Sequence, residues 1–194
     1  VSTILNYGTK TSTVHAAFVN GTFGHGFEMD DNHASAGTKG GCIAVPSLLA
    51  IGEQQRSSGT DFILAMVIAY EIMIRTSLSL QPDLLHGSHH ASATCGPLGA
   101  AAAVGKLLRF DEGLMMHAIC IAASHAAGIT EAPAIGRGNL KRIMGGMAAS
   151  NSIRSALLAA EGITGPETTL EGKRGFCRGF SSDPKLPELT AGLG

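Results

Sequence analysis

No stretch of this chain alternates apolar and polar residues convincingly; its apolar positions recur instead at helical spacing. That pattern predicts an all-α fold, bundle-like, with almost no sheet. In EGLMMHAICIAASHAA, Met115, Ala118, Ile119, Ala122 and Ala126 fall on one stripe, with Asp111 as the cap. In KRIMGGMAASNSIRSALLAAEG the stripe is Ala149, Ile153, Ala156, Leu157 and Ala160, closed by Gly162 with Pro166 beyond it. Thr11 to Thr13 predict the start of a helix through VHAAFVNGTFGHGFE, and Pro46 suits the first turn of PSLLAIGEQQ. Thr60 and Asp61 open FILAMVIAYEIMIRTSLSL, which is apolar on all faces and is predicted to be central. The small residues of SATCGPLGAAAAVGKLL let that helix approach its neighbours closely. These elements predict one partial domain over 1–194 with its core at about 10–162; residues 163–194 carry Gly, Pro and charge without a period and read as a connection toward a missing domain.

The chain is long enough for one domain with a sizeable core. Apolar residues make up 44% and charged ones only 15%, a thin polar coat that suggests surface buried against another subunit or domain. The net charge of −1, the lack of a basic run and the scarcity of aromatics exclude an evident nucleic-acid face. Cys42, Cys95, Cys120 and Cys177 are widely spaced, with no CxxC pair to suggest a zinc ribbon. Cys95 and Cys120 read as small buried hydrophobes, and the expected setting is reducing and cytoplasmic. The start VSTILNYGTKTS has no signal-peptide pattern. The longest apolar run, Phe62 to Tyr70, is too short to span a bilayer, so no membrane association is expected.

Reactive side chains gather at four places. GHGFEMDDNHASAGTKGG, Gly24 to Gly41, holds Glu28, Asp30, Asp31, His25, His33 and Lys39 among five glycines. If its first half is helical, His25 and Glu28 share a face. The glycines suggest a backbone that bends or comes close to a ligand. LLHGSHHASATCGP places His86, His89 and His90 before a helix, where the helix dipole lowers basicity and suits a neutral acid–base group. GRGNLKRIMGG sets Arg137, Lys141 and Arg142 at a helix start, a natural anion contact. His125, at the end of an apolar helix, reads as a satisfied core histidine. There is no nucleophile elbow, phosphate loop or dinucleotide fingerprint. A metal site from His25, Glu28, His33 and the His86–His90 cluster stays open, without HExxH-type spacing behind it.

HAAFVNGTFGHGFEMDDNH resembles the NGT-x-x-H-x-x-D-x-DD segment of the MmgE/PrpD family, which includes 2-methylcitrate dehydratase, cis-aconitate decarboxylase and iminodisuccinate epimerase. HHASATCGPLGAAAAVGKLL resembles that family's H-P-x-x-x-x-G-x-x-G-A-A-A-A segment. HAICIAASHAAGI, KRIMGGMAASNSIRSALLAAEGITGPE and LEGKRGF follow in the family's order, so the likeness runs from about His15 to Phe176. It implies an all-α domain, here its central part, followed by a smaller α/β lid beyond the last residue, in a homodimer; nothing in the expected chemistry demands a metal or organic cofactor.

The resemblance also implies the catalytic positions. The family's acid falls on Glu28, one methylene longer; its next histidine falls on Lys39; its second histidine is His90; its lysine is Lys141, with Met144 where a further histidine is expected. Asp31, His89 and Arg142 are the expected substrate contacts. On this reading Lys39 and Lys141 hold a di- or tricarboxylic acid, His90 takes the proton next to a carboxylate, and Glu28, if burial raises its pKa, protonates a leaving hydroxyl. The expected activity is a dehydratase of the 2-methylcitrate type in propionate catabolism. Decarboxylation or epimerisation, a metal-dependent hydrolase and a non-catalytic small-acid binder are the alternatives.

Overall fold

The computed structural model describes residues 1–131, 136 and 138–193. A two-residue pair, β1 (Ser2–Thr3) against β2 (Lys10–Thr11), precedes α1 (Thr13–His25), α2 (Gly41–Gln55), α3 (Gly59–Ser79) and the short α4 (Asp83–His86). Then come α5 (Ala91–Leu107), α6 (Glu112–Ser124), α7 (Lys141–Ala160), α8 (Phe176–Phe180) and a final 3-10 turn, Leu186–Leu189. Among the described residues the fold is thus all-α apart from one minimal hairpin.

The central helix is α5, not α3. Every residue of α5 except Lys106 is buried, and it packs against α2, α3, α6 and α7. Its glycines and alanines make this crowding tolerable: a Cβ on Gly99 would lie 2.3 Å from the carbonyl oxygen of Ala69 on α3. By contrast α3 buries one stripe, Ala65, Ala69, Met73 and Thr76, and leaves Ile63, Leu64 and Val67 exposed. By length and composition alone α3 is apolar enough to cross a membrane, although the Phe62–Tyr70 run suggested otherwise. In this fold its buried stripe lies on α5.

The caps follow local chemistry. Asp111 accepts from the Leu114 N–H at 2.9 Å, and Glu161–Gly162 ends α7 with Gly162 at φ 91°. Ser12 caps α1 through the His15 N–H, and Ser58, rather than Thr60, caps α3. Pro46 does not start its helix. α2 begins at Gly41, so Pro46 sits in the second turn, where the Cys42 carbonyl loses its usual N–H partner. The stripe predicted on α6 stops short of Ala126 because the helix ends at Ser124.

Residues 163–193 fold back onto the helices instead of leading away. Phe176 and Cys177 are buried beside Leu80, Leu84 and Leu98. Asp83 accepts from the Ser181 hydroxyl and from the Ser182 amide and hydroxyl, and its carboxyl is held below the usual range by those donors.

The contact that positions the site is α1 against α7. A Cβ on Gly146 would meet the Phe18 carbonyl oxygen at 2.2 Å, and one on Gly21 the Gly146 Cα at 2.9 Å. Backbones this close bring His25, the last residue of α1, over the first turns of α7, where Lys141 and Gly145 lie.

Candidate active site

α1 ends at His25, with Gly26 as its C-cap, and Glu28 turns into the left-handed region at φ 56°. A non-glycine residue there carries local strain, and such strain gathers at functional positions. The break means that His25 and Glu28 do not share a helix face. Instead the chain doubles back: Asp30 Oδ2 reaches His25 Nδ1 at 2.9 Å, and Lys39 Nζ lies 3.4 Å from the same oxygen. Both His25 and the Asp30 carboxylate are sealed from solvent.

Glu28 swings the other way and forms an ion pair with Lys141 at the start of α7. The hydrogen bond from Lys141 is the main cause that lowers the Glu28 pKa, with the charges of Lys141 and Lys39 adding to it. Burial opposes this but is outweighed, since the side chain is half exposed. Glu28 is therefore held as a carboxylate, and the condition for its acting as an acid is not met here.

His90 is the N-cap residue of α5, and its amide donates to the Gly128 carbonyl at 2.7 Å. Its ring lies 5.9 Å from that of His25, centroid to centroid. Burial drives its pKa down to about 4. The electrostatic influence of His25, Lys141 and Lys39 pushes the same way, and Glu28 opposes. At neutral pH His90 is a neutral imidazole, as its place before a helix suggested.

Glu28, Lys39, His90 and Lys141 thus gather around the C-terminal end of α1, the loop after it, and the starts of α5 and α7. Asp31 does something different. Its Oδ1 accepts from the Gly41 amide at 2.9 Å and its Oδ2 from the Tyr70 hydroxyl at 2.8 Å, so both oxygens clamp the loop to α2 and α3. Burial and that carboxylate push the Tyr70 pKa up. A Cβ on Gly41 would lie 2.5 Å from Asp31 Oδ1, so this glycine admits a neighbouring side chain rather than a ligand. His89 sets its ring edge-on to Phe180 at 5.0 Å, in the packing of the C-terminal segment. Arg142 is exposed in the first turn of α7, and Arg137 lies outside the described residues. His125 is bonded to Ser155 at 2.9 Å, as a structural histidine should be.

The metal grouping inferred from sequence is not the one that forms. His33 is exposed and accepts from the Ala36 amide, and His86 is exposed at the end of α4. Among the described residues the donors that converge are His25, Asp30 and Cys42, within 4.8 Å of one another. They fit a cation poorly: the Lys39 ammonium already faces Asp30, and burial, followed by the charges of Asp30 and Asp31, raises the Cys42 thiol to about 12. A cavity of about 430 Å³ borders the site on the side of Leu5, Phe23 and Met29. It shares Asp30 and Asp31 with the loop but none of Glu28, Lys39, His90 or Lys141, so the chemistry lies beside it.

The MmgE/PrpD N-terminal domain family matches residues 1–189. The chain belongs to that family. The cis-aconitate decarboxylase of Aspergillus terreus is 33% identical over 98% of this chain and 41% of its own length. The cis-aconitate decarboxylase-like protein oryM of Aspergillus oryzae is 31% identical, over 98% and 42%. The cis-aconitate decarboxylase of Homo sapiens is 32% identical, over 91% and 37%. The chain thus spans about two fifths of the length of these relatives.

Sequence reasoning missed the pairing of His25 with Asp30. Five positions apart, they lie on no common helix face, and only the turn after His25 joins them. The one available signal was the run of glycines that ends α1.

Proposed function

We propose that this chain carries the helical part of the active site of a cofactor-independent lyase for di- or tricarboxylic acids. Within that class, loss of CO2 from an acid of the cis-aconitate kind fits the residues better than dehydration of 2-methylcitrate. The observation that carries this reading is the Glu28–Lys141 ion pair. Expulsion of hydroxide needs an acid at the leaving oxygen, and Glu28, kept ionised by Lys141, does not supply one. Loss of CO2 needs no such acid. The bond to the departing carboxylate breaks, and its electron pair spreads toward a remaining carboxylate. Lys39 and Lys141 stabilise the charge that develops there. A proton must then reach carbon. His90 is neutral before substrate arrives, and a polyanion beside it opposes the shift that lowers its pKa. It then takes a proton from solvent and passes it to carbon. The names of the relatives support the same choice.

The homodimer that the resemblance implied and the cytoplasmic setting expected from the cysteines belong to this proposal as well. Side-by-side assays of the full-length protein test the central choice. CO2 release from cis-aconitate, without loss of water from 2-methylcitrate, is expected. Dehydration without CO2 release would return the reading to a dehydratase.

A further inference from the structure

Among the described residues, three buried side-chain polar atoms have no hydrogen-bond partner: His25 Nε2, Thr38 Oγ1 and His90 Nδ1. Such atoms are rare in folded proteins and are normally met by an ordered water or a ligand. Two of them belong to rings whose centroids are 5.9 Å apart. The third sits on the loop that meets the start of α5, where the Lys39 amide donates to the Ser92 hydroxyl at 2.8 Å. His25 itself is fully buried, and its other nitrogen faces Asp30 at 2.9 Å.

The proton positions follow. The Asp30 carboxylate, facing Lys39 as well, accepts from His25, so the His25 proton is on Nδ1 and the lone pair is on Nε2. A single oxygen between the rings can donate to that lone pair and accept from His90 Nδ1–H. We propose that Asp30 and His25 are positioning residues that, through one bridging oxygen, fix His90 with its proton on Nδ1. The lone pair of His90 is then on Nε2, the nitrogen left to exchange a proton with substrate carbon. The bridging oxygen is a water in the resting protein. The catalytic role of His90 rests on the proposed function; the tautomer does not.

The test is two-bond proton–nitrogen NMR of the full-length protein labelled with 15N-histidine, with the His90 signals assigned by His90→Gln. A neutral His90 protonated on Nδ1, converting to the Nε2–H form or to a mixture in His25→Phe, is expected. Asp30→Asn reads the same couple should His25→Phe fail to fold. In turnover assays either variant should lower kcat at least about tenfold with KM little changed, and shift the acid limb of the kcat/KM profile. His90 protonated on Nε2 in the unmodified protein, or a tautomer indifferent to both variants, overturns the inference. The expected tautomer in a protein that converts no polycarboxylate would sink the proposed function and leave this positioning intact.

Discussion

Lys141, the first residue of α7, donates to the carboxylate of Glu28, 113 positions earlier in the chain, across the junction of α1 and α7. This pair joins two of the proposed site residues and sets the charge state of one of them. Lys141→Ala should therefore have two effects. The cation at the substrate carboxylate is lost, and kcat/KM should fall about 10²–10³-fold. Glu28 is released from its partner, and its carboxyl pKa should rise toward the ordinary value, readable by carbon NMR of labelled glutamate. An unchanged rate at all substrate levels would remove Lys141 from the site.

His90→Gln should abolish turnover, with a loss of about 10²–10⁴-fold, while the far-ultraviolet circular dichroism stays that of the parent. Full retained activity would sink the assignment of His90 as the proton carrier.

The same residue should leave a mark on stability. The folded-state pKa of His90 is depressed, from 6.5 to about 4, so the unfolded chain binds its proton more readily. Above pH 6.5 both states hold it neutral. As pH falls from 6.5 toward 4 the unfolded state gains a proton the folded state resists, and stability drops by up to about 3 kcal/mol. Burial is the main cause of this shift; among the charged groups facing His90, His25, Lys141 and Lys39 add to it and Glu28 opposes it. Denaturant titrations at pH 7 and pH 4.5 should show the loss, and His90→Gln should flatten it.

Gly146→Ala probes the contact that carries His25 to α7. The added methyl would meet the Phe18 carbonyl oxygen at 2.2 Å, backbone that cannot step aside cheaply. A loss of about 1–3 kcal/mol is expected from thermal or denaturant unfolding. A neutral result would mean that α1 and α7 are less tightly joined than their spacing implies.

Much of the fold was legible because its signals are local. Asp111 and Gly162 mark helix ends through bonds within a turn of themselves, and the stripes of α6 and α7 needed only a period. The position of α3 was not legible in the same way. Apolar composition says that a surface avoids water, not which helix covers it, and α5 took the centre because its small residues allow neighbours on every side. The start of α2 was misplaced because Pro46 suits a first turn but is also accepted in the second, at the loss of one hydrogen bond. In the candidate site, Glu28, Lys39, His90 and Lys141 were expected from family resemblance, whereas the His25–Asp30 pair and the Tyr70–Asp31 clamp depend on where the loop turns.

The central claim is carbanion-type chemistry next to a carboxylate at a His90–lysine site. The most direct measurement is proton NMR of the full-length protein in heavy water with cis-aconitate, 2-methylcitrate and other di- and tricarboxylic acids. The account expects one acid, of the cis-aconitate kind, to lose CO2 and its product to carry deuterium at the newly protonated carbon, with His90→Gln silent. No conversion and no exchange with any acid, from a folded protein, would contradict it and favour a protein that binds such acids without turning them over.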